Sequence, residues 1–83
     1  MYYVYLIKSR RKEWKYVGYT ENLKRRFSEH QLGKVTATKP YFPYDLIFYE
    51  AYKAKSDAKR REKYFKTNQG KLALKLMLKD SLA

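Results

Sequence analysis

The sequence predicts a small α/β domain of the α+β kind, a three-stranded, mostly antiparallel sheet flanked by about three helices, forming a single unit over residues 1–83. Three observations carry this. Three short runs rich in Tyr, Val, Ile and Phe are bounded by charged or turn-forming residues, as strands are. Three other stretches repeat apolar residues at helical spacing behind residues suited to caps. And 83 residues leave room for one modest core.

Tyr2 to Ile7 alternates aromatic and branched residues and reads as the first strand, with Tyr3, Tyr5 and Ile7 on one face. Lys8 to Lys15 is charged and forms a hairpin loop into a second strand, Tyr16 to Tyr19. Gly18 inside that strand marks either a bulge or close backbone approach, or a turn-adjacent glycine without a role. Thr20-Glu21-Asn22 supplies turn and cap chemistry, and a helix starts at about Leu23. At roughly 100° per residue, Leu23 and Phe27 define its apolar side. His30 falls beside Leu23, Arg26 sits at the edge of that side, and Arg25 points the opposite way. The helix ends near Leu32-Gly33, with Gly33 as the residue after the cap.

Val35 to Tyr44 is a loop, because Pro40 and Pro43 bar regular structure. Its aromatics either stack on bases or pack the loop against its own domain. Leu46 to Tyr52 is a third strand, largely buried. Ser56-Asp57 caps a second helix running to about Thr67, with Ala58, Arg61, Glu62 and Phe65 on one face and Lys59, Lys63 and Lys66 elsewhere. Asn68-Gln69-Gly70 breaks it. A last helix, Lys71 to Lys79, places lysines 71, 75 and 79 on a wet stripe. Leu72, Leu74, Leu76, Met77 and Leu78 form a broad apolar face, either core or dimer surface.

Twenty Lys and Arg against eight Asp and Glu give a formal net charge of +12. Charge of that size gathers polyanions and speeds their capture, so nucleic acid is the expected partner. An anionic membrane surface has no support from an amphipathic N-terminal helix or lipidation signal. The first apolar run is strand-sized, far short of the ~20 residues a membrane span needs. The chain has no Cys, which excludes disulfides and thiolate metal sites and suits a cytoplasmic setting.

Hydrolysis of a phosphodiester needs an activated water, charge neutralisation on the phosphoryl oxygens and help for the leaving oxygen. A Mg²⁺ ion keeps several waters and commonly takes one or two protein carboxylates, so a single inward carboxylate suffices. Glu62 is the candidate, since most other acids lie in loops, caps or exposed helix positions; the alternative is an ordinary helical Glu paired with Arg61 or a lysine. Arg26 suits a transition state because its planar guanidinium forks two phosphoryl oxygens and stays charged. Arg25 is a solvated phosphate contact, and Lys24, Arg61 and Lys39 are further basic candidates for DNA. His30, the one histidine, is either a satisfied core residue or a proton partner.

Tyr16-Val17-Gly18, with Arg26 ten residues and His30 fourteen residues after Tyr16, resembles the second half of the GIY-YIG nuclease signature. Tyr3-Val4-Tyr5 resembles the first half, and Glu62 stands where the family keeps its metal carboxylate. The resemblance runs from Tyr2 to about Leu76 and is closest to small stand-alone, UvrC-like members. It implies a Mg²⁺- or Mn²⁺-dependent endonuclease acting on DNA, in repair or recombination. In it, Tyr16 serves as general base or positions the water, Tyr5 assists, His30 is a proton or hydrogen-bond partner near the reacting oxygens, and Glu62 holds one ion. Three positions depart from the pattern or stand as further candidates. Tyr3 replaces the Gly of the first motif, Tyr19 stands where some relatives carry Lys, and Asn68 matches the family's later Asn in order but at short spacing from Glu62. Thr38 is the last candidate. The alternatives are a non-catalytic nucleic-acid-binding module with the same fold, or a nuclease domain that needs a protein partner for targeting.

Overall fold

The computed structural model describes all 83 residues, Met1–Ala83. Strands β1 (Tyr2–Ser9) and β2 (Lys15–Thr20) are followed by helix α1 (Leu23–Gln31), strand β3 (Tyr44–Tyr52) and helices α2 (Lys55–Phe65) and α3 (Asn68–Met77). The sheet order is β2-β1-β3, and both pairings are antiparallel. The three-strand, three-helix architecture read from the sequence is therefore present.

The central position of β1 explains its sequence. A strand with neighbours on both sides and helices over both faces buries every residue, so Val4, Tyr5, Leu6 and Ile7 are all inside. Val4 and Leu6 pack against Ala58 and Phe65 of α2, Leu74 of α3, and Leu78 beyond it. Tyr5 and Ile7 turn to the opposite face, where Tyr44, Leu23, Phe27, Trp14 and Tyr41 surround them. Burial of each such side chain stabilises by about 1.5–3 kcal/mol. Helix α1 is set on the second face by its cap: Asn22 Oδ1 accepts from Arg25 N at 3.1 Å. It stops at Leu32, and Gly33 takes φ 68°, a left-handed conformation that glycine adopts at little cost.

Several expected details differ. β3 begins at Tyr44 rather than Leu46, and it is not largely buried; Leu46 and Tyr49 are exposed, because β3 is an edge strand. The loop before it contains a 3-10 turn, Lys39–Tyr41. Its aromatics pack inward: Tyr41 lies 4.7 Å from the Trp14 ring, and Phe42 covers Gly33. Ser56 and Asp57 do not cap α2. The cap position is Ala54 with no side-chain bond, while Asp57 sits in the first turn, favoured by the helix dipole and paired with Arg60.

Asn68-Gln69-Gly70 is not a break but the first turn of α3, capped by Thr67 Oγ1, which accepts from Gly70 N at 3.0 Å. Gly70 is required there because a Cβ would lie 1.9 Å from Tyr64 O, where the two helices meet. The apolar side of α3 is split: Leu74 and Leu78 enter the core, whereas Leu72, Leu76 and Met77 face outward. No helix is long and apolar enough to cross a membrane.

Candidate active site

The pairing of β1 with β2 sets Tyr5 opposite Gly18. A Cβ at Gly18 would lie 2.3 Å from Tyr5 Cζ and Oη, so the phenol crosses the neighbouring strand only because that residue is glycine. Of the two readings of Gly18, close approach is the one the fold uses. The ring's hydroxyl lies 2.6 Å from His30 Nε2, and His30 Nδ1 lies 2.7 Å from Thr38 Oγ1. The Arg26 guanidinium stands close enough to the Tyr5 phenol for each to act on the other's protonation. Thr38 Oγ1 donates to Val35 O, so it accepts from Nδ1–H of the neutral imidazole, and Nε2 accepts from the Tyr5 hydroxyl. Thr38 is held in turn, since its carbonyl accepts from Tyr44 Oη at 2.7 Å.

His30 is fully buried. Burial, aided by the Arg26 charge and opposed by Glu29, pulls its pKa down to about 4, so the ring is neutral. Both ring nitrogens are bonded within the protein, to Tyr5 and Thr38, and the ring does not reach solvent. Burial pushes Tyr5 itself up to about 12, with Arg26 opposing, which keeps that phenol protonated.

Tyr16 is half-buried on the edge strand, with its ring centroid 5.6 Å from that of His30, and it is the phenol that reaches solvent. Arg26 lies beside it on α1, 38% exposed, with Nη1 3.2 Å from Glu29 Oε1; Arg25 faces fully outward. The helical wheel therefore separated the two arginines correctly.

Glu62, on α2, has a side chain only 18% exposed, with Lys59 at 3.5 Å and Lys66 at 3.2 Å. Lys66 Nζ also stands 5.5 Å from the centre of the Tyr16 ring, which links the carboxylate to the phenols. The charge of Glu62 raises the Tyr5 pKa as a minor contribution, so the two share one electrostatic field. No group of three or more His, Cys, Asp or Glu is assembled anywhere. A hard divalent ion with one carboxylate and a shell of waters fits this donor set; a multi-carboxylate cage does not.

The basic candidates divide. Lys24, Arg25 and Lys39 are exposed and pair with no acid. Arg61 is not free for phosphate, nor is it the partner of Glu62. Its fork grips Glu50 of β3 at 2.9 and 2.8 Å, and Tyr52 bonds the same carboxylate. Asn68 is exposed at the start of α3. Tyr19 stacks on Tyr2 and carries Lys59 over its ring at 4.5 Å; its hydroxyl is buried without a protein partner. The sequence reading missed Glu29, and it offered a lysine for Glu62 without saying that two of them, Lys59 and Lys66, hold it. Their spacings, i+3 from Arg26 and i−3 and i+4 from Glu62, were the available signal.

The two motif halves thus lie on adjacent antiparallel strands and converge on one cluster. A family model described as the GIY-YIG catalytic domain matches residues 1–75. The chain belongs to the GIY-YIG family. It is similar to a UPF0213 protein of Staphylococcus haemolyticus, 36% identical over 77 residues, covering 92% of this chain and 93% of that one. It is also similar to a UPF0213 protein of Limosilactobacillus reuteri, 40% identical over 68 residues (78% and 70% of the two chains). The UPF0213 protein YazA of Bacillus subtilis is 38% identical over 66 residues, 78% of this chain and 66% of YazA. No solved structure matches.

The buried histidine of this GIY-YIG protein has a measurable consequence. Its folded pKa lies below its unfolded value of 6.5, so between about pH 6.5 and 4 the unfolded chain binds more protons. Stability is therefore full above pH 6.5 and falls as pH drops toward 4, by about 1.4 kcal/mol per pH unit at most. Urea midpoints of wild type and His30→Gln at pH 7, 5.5 and 4 check this. The wild type is expected to lose more stability than the variant across that window; parallel curves would contradict it.

Proposed function

We propose that this GIY-YIG protein is a divalent-metal-dependent endonuclease that hydrolyses DNA phosphodiester bonds, in repair or recombination. The observation that carries this reading is the gathering of Tyr5, Tyr16, Arg26 and Glu62 around one end of the β1–β2 pair in a chain of net charge +12. Glu62 would hold Mg²⁺ or Mn²⁺, and a bound divalent ion supplies charge neutralisation and a lower pKa for its waters. Arg26 forks the phosphoryl oxygens as negative charge develops. Tyr16, the accessible phenol, would position the attacking water or, as the phenolate, take its proton and return to the neutral phenol. Tyr5, kept protonated by burial and donating to His30, offers its oxygen as an acceptor of set direction.

The deciding experiment is nicking of supercoiled, branched and single-stranded DNA by the purified chain, with Mg²⁺ or with chelator. Metal-dependent nicking supports the reading; intact DNA with every divalent ion leaves a binding module. Binding itself is expected to be mainly electrostatic, since Lys24, Arg25 and Lys39 are free and no base-reading device is evident. If four to six phosphates are neutralised, log K falls against log salt with a slope of roughly −4 to −5. Anisotropy titrations at several KCl concentrations measure that slope, and tight, salt-independent binding to one sequence would overturn the expectation.

A further inference from the structure

We propose that a pocket beside Tyr16 receives the base of an unpaired nucleotide next to the scissile phosphate, which makes DNA with unpaired bases the substrate class of this site. The proposal rests on the endonuclease reading above. The pocket, of about 490 Å³, opens between β2 and the junction of α2 with α3. Leu6, Val17, Phe65 and Leu74 form its apolar floor, and Trp14 stands at its side. Lysines 15, 66, 71 and 75 form its rim.

Three features identify the occupant. The volume lies in the range of small-ligand sites. The interior is apolar while the rim is cationic: Lys15, Lys71 and Lys75 have no acidic partner, and the one acid on the lining, Glu13, is exposed and paired with Lys8 at 3.3 Å. A flat base carrying phosphates matches this division, and the Trp14 ring, stacked near Tyr16 at 6.1 Å and 21°, adds an aromatic wall. Finally, the pocket is continuous with the catalytic cluster, because Tyr16 and Lys66 line it and Lys66 is the partner of Glu62. A strand held at Tyr16 has this pocket within a nucleotide's reach. Bases in an intact duplex are stacked and cannot enter, so the nucleotide must be unpaired or extruded.

The test uses the full chain without metal and a fluorescein-labelled thymidine decamer, followed by a series with one abasic residue at each position. Phosphates are constant across the series. One position, or two adjacent ones, should lose about tenfold in affinity while the rest bind normally. Val17→Phe, which fills the floor from the edge strand, should remove that position dependence and leave duplex affinity unchanged. Should that variant fail to fold, Lys71→Glu with Lys75→Glu, both at exposed sites, should weaken the decamer tenfold or more and a duplex less than threefold. A flat abasic series, a dependence that survives Val17→Phe, or equal losses for decamer and duplex in the lysine variant overturns the proposal. So does thymidine 5′-monophosphate binding as tightly as the decamer, which makes a free nucleotide the occupant, or displacement by decanoate in preference to that monophosphate, which makes it an anionic amphiphile. Cleavage of the same decamers with Mg²⁺ is scored separately. Cleavage with a flat series sinks the pocket alone; a position-dependent series without cleavage sinks the nuclease reading alone.

Discussion

Arg26→Ala is expected to lower single-turnover DNA cleavage by on the order of 10²-fold or more, whereas Arg25→Ala leaves that rate near wild type and weakens binding. The two side chains are adjacent in sequence and opposite in environment. Arg26 is half-buried against Glu29 and the Tyr5 phenol, while Arg25 projects into solvent and contributes only its backbone to the helix cap. Burial alone would weaken the charge on Arg26, but its bond to Glu29 and the nearby Tyr5 phenol outweigh that and hold the guanidinium more firmly protonated. It is thus a fixed positive fork beside the phenols, built before substrate arrives. Arg26→Lys keeps the charge and loses the fork, so it should restore only part of the rate. Equal single-turnover impairment of the two alanine variants would show that position on the helix does not matter.

The difference between these arginines was legible before any coordinates, because a helical wheel needs only Leu23 and Phe27 to establish its buried side. The same local logic placed all three strands, the Asn22 cap and the role of Gly33. What it could not deliver were choices decided by distant partners. Gly70 reads as a helix stop, yet it is a contact residue, because only the packing of α3 onto Tyr64 shows that a Cβ has no space. Arg61 falls on the packing face of α2 beside Glu62, and nothing local says that Glu50, on a strand eleven residues earlier, takes its guanidinium. His30 was found by motif spacing and given a catalytic place. Its two ring bonds, to Tyr5 and to Thr38, depend on a loop that periodicity describes only as irregular. Local patterns thus reported which residues face inward, while long-range bonds decided what each does there.

Glu62→Ala is expected to abolish cleavage at every Mg²⁺ concentration tested, with metal-free DNA binding unchanged or tighter. The carboxylate is the acid joined to the phenol cluster through Lys66, and it is mostly screened from solvent. In the proposed reaction its loss removes the ligand for the ion. It also removes a negative charge facing phosphate and frees Lys59 and Lys66 to meet DNA, so affinity without metal should hold or rise. The fold should survive. Ala is the best helix former, Ala58 and Phe65 keep their places in the core, and the two lysine pairs are exposed on the lysine side, worth at most about 1 kcal/mol each. Glu62→Gln serves as the isosteric control, retaining shape without charge, and should be equally inactive. Circular dichroism, metal-free anisotropy and a plasmid-nicking time course separate the outcomes. An unfolded Glu62→Ala protein would mean that the carboxylate braces α2 by holding its two lysines. A folded variant that nicks at the wild-type rate would remove Glu62 from the chemistry and, with it, the proposal that this carboxylate recruits the ion.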